Sequence, residues 1–244
     1  MALTPDEILN GVFSLVFVII SIFIGINIIS KYPKTKNRTV ILVGFVWLGI
    51  VSSWYASSSS FLVAFITGGD GYMSAPFIYF IIGAVPLPIT AFIWMVAFTD
   101  LLYRDKKRII LLFFGLTGLI FEIVFFSLLS IDFDLIGTVT SPVDAEYKPF
   151  ITIYQIFLVI LVLVSGSLFA RESLRSTTPE IKLKGRLLLI AFLSFVIGSI
   201  LEILSGISIV VLIIARILLI TSSIEFYGGF ILPRWMENLF LRKK

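Results

Sequence analysis

The sequence predicts an all-α, polytopic membrane protein: a seven-transmembrane helix bundle with its N-terminus outside the cell membrane and its C-terminus in the cytoplasm. Three observations lead there. The 244 residues are 59% hydrophobic and only 14% charged, with a mean hydropathy of +1.09, far from the composition of a water-soluble domain. The apolar residues fall in runs long enough for a ~30 Å hydrocarbon slab, broken by short charged segments. Finally, the basic residues are sorted to alternate connections.

In chain order the spans are expected at 8–30, 39–67, 76–103, 109–131, 150–170, 187–205 and 207–232. The first begins MALTPDEILNGVF, acidic where a secretory leader needs positive charge, and is read as a retained span. Ser74 before Pro76 and Thr178 before Pro179 look like N-caps, and Pro233 ends the last span. Residues 187–232 form one nearly unbroken apolar run, which as a single helix would measure about 69 Å, more than twice the slab. It must fold back, and Ser205-Gly206 supplies the turn. Residues 1–233 thus form the transmembrane domain, and 234–244 a basic amphipathic cytoplasmic tail suited to the headgroup region. The segment TTPEIKLKGR has the same character.

The connections after spans one, three, five and seven hold every Lys and Arg except Lys148 and Arg216. The opposite side carries Asp6, Glu7, Asp70, Asp132, Asp134, Asp144 and Glu146. By the positive-inside rule this sets the orientation, and six spans would place the C-terminal RKK outside. Because the basic clusters all border apolar runs, the expected partner is a lipid bilayer with anionic headgroups at the basic inner loops; no nucleic acid is expected.

Candidate sites come from the cost of ionisable groups at bilayer depth, on the order of 2.5 to 3.5 kcal/mol each. Arg216 and Glu122 lie at similar depth, and Glu202 sits near the outer surface on the span that the hairpin forces beside Arg216. A pair or triad of these, with Gln155 nearby, forms the expected polar cluster in the outer half, either a ligand site or a clasp that sets helix register. Glu225 falls on the opposite face of span seven from Arg216. With Tyr227 it is expected near the inner interface, facing Asp100 or Arg104 of span three, or headgroup water. Pro86 and Pro88 should kink or open span three, and Trp47, Trp54, Tyr55, Tyr79 and Trp94 either line a cavity there or pack. Small-residue stripes on span two (Gly49, Ser52, Ser53, Ala56, Ser57, Ser60), span four (Gly115, Gly118, Glu122) and span six (Ala191, Ser194, Gly198, Ser199, Glu202, Ser205) read as packing seams or as a polar path.

The residue types also exclude chemistry. The chain contains neither Cys nor His, which removes thiolate sites, histidine metal ligands and serine–histidine proteolysis. No span holds a Schiff-base lysine. No cofactor, metal site or enzymatic activity is therefore expected.

The inner loop RESLRSTTPEIKLKGRLLLIAFLSFVIG and the ending GGFILPRWMENLFLRKK, on a layout of seven short-looped spans, resemble the N-terminal seven-helix sensor regions of prokaryotic membrane histidine kinases. That resemblance implies a sensor or receptor-like protein in signal transduction. The chain stops where a kinase transmitter would begin, so the signal would pass to a separate cytoplasmic signalling protein. A small-solute or ion transporter of 3+1+3 helices, and a structural subunit of a membrane complex, are the alternatives.

Overall fold

The computed structural model describes residues 3–204 and 208–241. The chain is a helical, multi-pass membrane protein. Six helical stretches are individually long and apolar enough to span a membrane, and one bent pair meets the same test together. The stretches that meet the test are α1 (Pro5–Ile29), α5 (Pro76–Ala84) with α6 (Pro86–Leu102), α7 (Lys107–Ile131), α8 (Pro149–Leu174), α9 (Pro179–Ile203) and α10 (Ile209–Ile231), and the bent pair is α3 (Arg38–Ile50) with α4 (Ser52–Thr67). A short α2 (Tyr32–Thr35) and a terminal α11 (Arg234–Phe240) complete the helices. Ile19, Phe23, Ile66, Ile109, Leu112 and Ile153 stand exposed on the flanks, the apolar girdle that a bilayer would cover.

Local chemistry explains the boundaries. The α1 start is a capping box, Thr4 accepting from the Glu7 N–H while the Glu7 carboxylate accepts from the Thr4 N–H, with Pro5 at the first helical position, where its missing donor costs nothing. Ser74 does not cap α5; Ala75 occupies that position and makes no side-chain cap. Thr178 does stand at the N-cap of α9, but its hydroxyl makes no cap bond. That helix begins at Pro179 and absorbs the TTPEIKLKGR segment, which therefore does not form a separate surface helix. At the far end Leu232 adopts φ 48°, and Pro233 then opens α11. The expected turn at Ser205-Gly206 and the basic end at Arg242, Lys243 and Lys244 lie outside the described residues.

Consecutive spans pack side by side, α9 against α8 and α10, α6 against α3 and α7, and α1 joins the two groups by packing on α3, α4 and α10. Their common core is aromatic. Trp47 stacks on Phe226 at 4.1 Å, Phe17 meets Trp54 edge-on at 5.1 Å, and Trp94 packs on Phe192 at 5.8 Å. The void left among these rings is about 10 Å³, space for one water at most. Trp47, Trp54 and Trp94 thus fill the centre of the bundle.

Two spans are interrupted where they touch. Pro86 and Pro88 deprive the Ile82 and Ala84 carbonyls of their helical donors, and the helix breaks at Val85. In the neighbouring span α3 and α4 meet at 51° around Val51, a bend without proline, at a Gly49/Ser52/Ser53 cluster of the type known to kink helices. The hydroxyls of Ser52 and Ser53 donate to the Gly83 carbonyl at 3.2 and 3.4 Å. The serines of one break thus bond a carbonyl between the two that the prolines deprive at the other.

The fold is all-α apart from one small element. Residues Gly137–Ser141 (β1) and Asp144–Tyr147 (β2) form an antiparallel hairpin with a bulge between Val139 and Ser141. Ile136, Val139 and Val143 are buried, and Ile136 and Val139 join Phe80, Phe121, Phe125 and Ile151 in a second apolar cluster. The hairpin therefore lies on one end of the bundle, here called the hairpin end. The sorted basic connections gather at the opposite, basic end.

Candidate functional site

Arg216 is the single cation within α10 and sits seven positions after Ile209. It is 1% exposed, the largest fully buried side chain. Its Nη2 donates to Glu202 Oε1 at 2.6 Å and to Asn10 Oδ1 at 2.7 Å. Ser14, one turn further along α1, donates to the same Asn10 oxygen at 3.5 Å. Three helices are thus joined through one guanidinium nitrogen.

The remaining polar atoms are uncommitted. Arg216 Nε and Nη1, and Glu202 Oε2, are buried without a hydrogen-bond partner among the described residues. Above them the hairpin brings Asp144 within electrostatic reach of both Arg216 and Glu202, and Tyr79 lies within reach of Arg216. Asp144 is an exposed residue, yet the bundle end withdraws enough water from its carboxyl to raise it above the ordinary carboxylate range; the Ala145 N–H and the Arg216 charge pull the other way. Tyr79 is held by a 2.7 Å hydrogen bond between its hydroxyl and that of Ser57.

Tyr147 reaches from β2 to Gly83, where an added Cβ would stand 2.6 Å from the phenol oxygen. That hydroxyl is buried without a partner among the described residues, and burial, with the Asp144 charge second, pushes its pKa well above the tyrosine value. Tyr147→Phe should therefore leave stability unchanged or raise it, because a desolvated, unpaired hydroxyl is removed. Tyr79→Phe strips Ser57 of its partner and should cost about 1 kcal/mol. Thermal unfolding of both variants checks the contrast.

The expected cluster is realised in part. The Arg216–Glu202 pair is present, but Glu122 does not join it. Glu122 projects from α7 toward α8, where Tyr154 feels its charge, and both its oxygens are buried without a partner among the described residues. The reason is azimuth, since α7 packs on α6 and not on α10. Gln155 is half-buried on α8, and among the described residues the Arg216–Glu202 pair bonds Asn10 and not Gln155.

At the other end Glu225 meets neither Asp100 nor Arg104. Ser194 of α9 lies beside its carboxyl, because α10 packs on α9 and α1 and leaves α6 out of reach. Asp100 instead pairs with Lys107, and the Arg104 Nε donates to the Asp100 carbonyl at 3.0 Å. Tyr227 is half-buried against the aromatic core.

The residues that composition and depth passed over are Asn10, Asp144 and Tyr147. Asn10 had a signal, a lone amide near the acidic end of an otherwise apolar span; the hairpin residues had none, because their place depends on how the loop folds back. The small-residue stripes are packing seams where their contacts are clear: a Cβ on Gly198 would stand 2.9 Å from Leu219, and one on Gly49 would overlap the Thr90 hydroxyl. No known family model matches the chain, and no curated protein matches it either.

Proposed function

We propose that this chain is a seven-span integral membrane sensor, its hairpin end outside and its basic end in the cytoplasm, which passes a ligand-dependent change to a separate cytoplasmic protein. Counting the bent pair as one span supports seven crossings, and the sorting of Lys and Arg supports the orientation. The observation that carries the reading is the buried, half-committed Arg216–Glu202 pair beneath the hairpin. Two free guanidinium donors beside one free carboxylate acceptor suit a small polar solute carrying both an acceptor and a donor, an amide or a zwitterion. A buried polar group left unpaired is expensive, so a ligand that completes these bonds gains differential affinity for one arrangement of α1, α9 and α10.

The route to the basic end is α10 itself. It runs unbroken from Arg216 to Gly228, where the backbone makes room for Met236 of α11. A small rotation of α10 that re-pairs Arg216 would therefore displace the tail helix. A transport reading is weaker, because the aromatic centre leaves about 10 Å³ and the two interrupted spans are sequence neighbours. A transporter built from inverted repeats places its breaks in corresponding spans of the two halves.

Two experiments test the reading. Reporters placed beside Asp144 and fused after Lys244 should lie on opposite faces of the membrane; finding both on one face ends the topology and the roles drawn from it. A photo-crosslinker at Trp235 should capture one specific protein from native membranes, with capture lost in Arg216→Gln. Solute flux in proteoliposomes that vanishes in the same variant, with nothing captured, would overturn the sensor in favour of a carrier.

A further inference from the structure

A cavity of about 760 Å³ opens at the basic end, between α9, α10 and α11 and far along α10 from Arg216. Its mouth carries Lys182 and Arg186, both exposed, and neither side chain makes a hydrogen bond or ion pair with a described residue. Its depth is apolar, walled by Leu187 and Ile190 from α9 and Ile224 from α10. The opposite wall is the tail helix. Met236, 3% exposed, pins α11 against Leu183 and Leu187, while Trp235 and Leu239 remain 56% and 66% exposed.

The cavity is graded from charged to apolar along the helix axes. Gly229 lies against Leu188 and Gly198 against Leu219, so the antiparallel register sets Glu225 near position 192. At 1.5 Å per residue its level along the helix is about 9 Å deeper than Arg186. Glu225 therefore does not compete for the mouth. One of its oxygens is buried without a described partner, leaving an acceptor for a hydroxyl at the ester level of a ligand. Ile190 and Ile224 are both partly exposed, 48% and 38%, so the groove opens sideways onto the apolar girdle.

From this grading we infer that the α9–α10–α11 groove is a specific seat for one anionic phospholipid. The phosphate would lie between Lys182 and Arg186, and one acyl chain along Leu187, Ile190 and Ile224 under Trp235. A soluble anion leaves the apolar walls uncovered, and a neutral lipid leaves both cations unmatched; an anionic lipid satisfies each. The inference is independent of the sensor reading and of which face of the membrane the basic end occupies.

Trp235 provides the readout, since Trp47, Trp54 and Trp94 are all buried in the core. The full chain is reconstituted in phosphatidylcholine vesicles containing either tail-brominated phosphatidylglycerol or tail-brominated phosphatidylcholine. Subtracting the W235F signal isolates quenching of Trp235. Two near-surface cations favour the anionic lipid by on the order of thirtyfold in the mole fraction giving half-quenching. K182Q/R186Q should bring the two lipids together while the thermal unfolding stays unchanged, because both side chains are exposed. Arg171→Gln, another exposed cation of this end, should keep the preference. Equal quenching by the two lipids in the native chain, or a preference that survives K182Q/R186Q, overturns the seat. Loss of the preference on adding soluble glycerol phosphate would overturn it in favour of a free-anion site.

Discussion

Arg216→Met is expected to lower the stability of the bundle by about 3 kcal/mol, the lower end of the range for breaking a buried ion pair. The reason is what it leaves behind. Glu202 keeps about a quarter of its side-chain exposure, which softens the penalty, but its carboxylate then faces apolar α10 with no counter-charge, and Asn10 loses its donor. Removing both charges is different in kind: the Glu202→Gln/Arg216→Met double variant should regain most of the loss, since no uncompensated charge remains. Unfolding in mild detergent, followed as a double-mutant cycle, measures the coupling. A single-variant loss below about 1 kcal/mol would mean that the pair behaves like a solvated surface bridge, and the buried clasp would have to be abandoned. If ligand response also disappears in the double variant while stability is restored, the clasp is more than register.

The second large effect is expected at Gly44. There α1 and α3 touch backbone to backbone: a Cβ on Gly44 would stand 2.9 Å from the Gly25 carbonyl oxygen and 2.4 Å from Ile29 Cγ1. A side chain can swing away from a new methyl group; a carbonyl fixed in a helix cannot. Gly44→Leu should therefore cost about 3 kcal/mol or abolish the folded state, the upper range for overpacking. Gly115→Ala, whose Cβ would meet Phe92 at an ordinary 3.5 Å, should be neutral or stabilise by up to about 1 kcal/mol through helix propensity. Thermal unfolding of the two variants side by side tests the pattern. Similar losses at both glycines would show that α1 and α3 do not meet backbone to backbone.

Those two glycines show where sequence reading stops. Both belong to apolar helices and both look like small-residue contacts, yet one touches a backbone and the other has room. Hydropathy and charge sorting depend only on a residue's own transfer cost, so span positions were legible: the helices observed at Pro76–Leu102, Lys107–Ile131 and Ile209–Ile231 lie close to the runs expected at 76–103, 109–131 and 207–232. The proline break in span three was legible for the same local reason, because proline carries no donor wherever it stands.

Partnership was not legible, because it is a property of azimuth. Arg216 and Glu122 were expected at one depth, but α7 turns Glu122 toward Tyr154 on α8, while α10 turns Arg216 toward α1 and α9. Asn10 entered the cluster by the same geometry. The 51° bend at Val51 and the hairpin over 137–147 likewise arise from contacts distant in sequence: Ser52 and Ser53 bond Gly83, and Ile136 and Val139 bury against Phe80 and Phe125.

By itself the sequence determined the solvent of this protein, the places where its chain is apolar enough to span, and the end at which its basic residues gather, because each follows from the free energy of single residues in hydrocarbon or water. Only the tertiary structure decided that Arg216 closes on Glu202 and Asn10, that Glu122 stands apart, and that a charged mouth opens above an apolar groove beside α11. Those depend on which helix faces meet, and helix faces meet through packing among many residues at once.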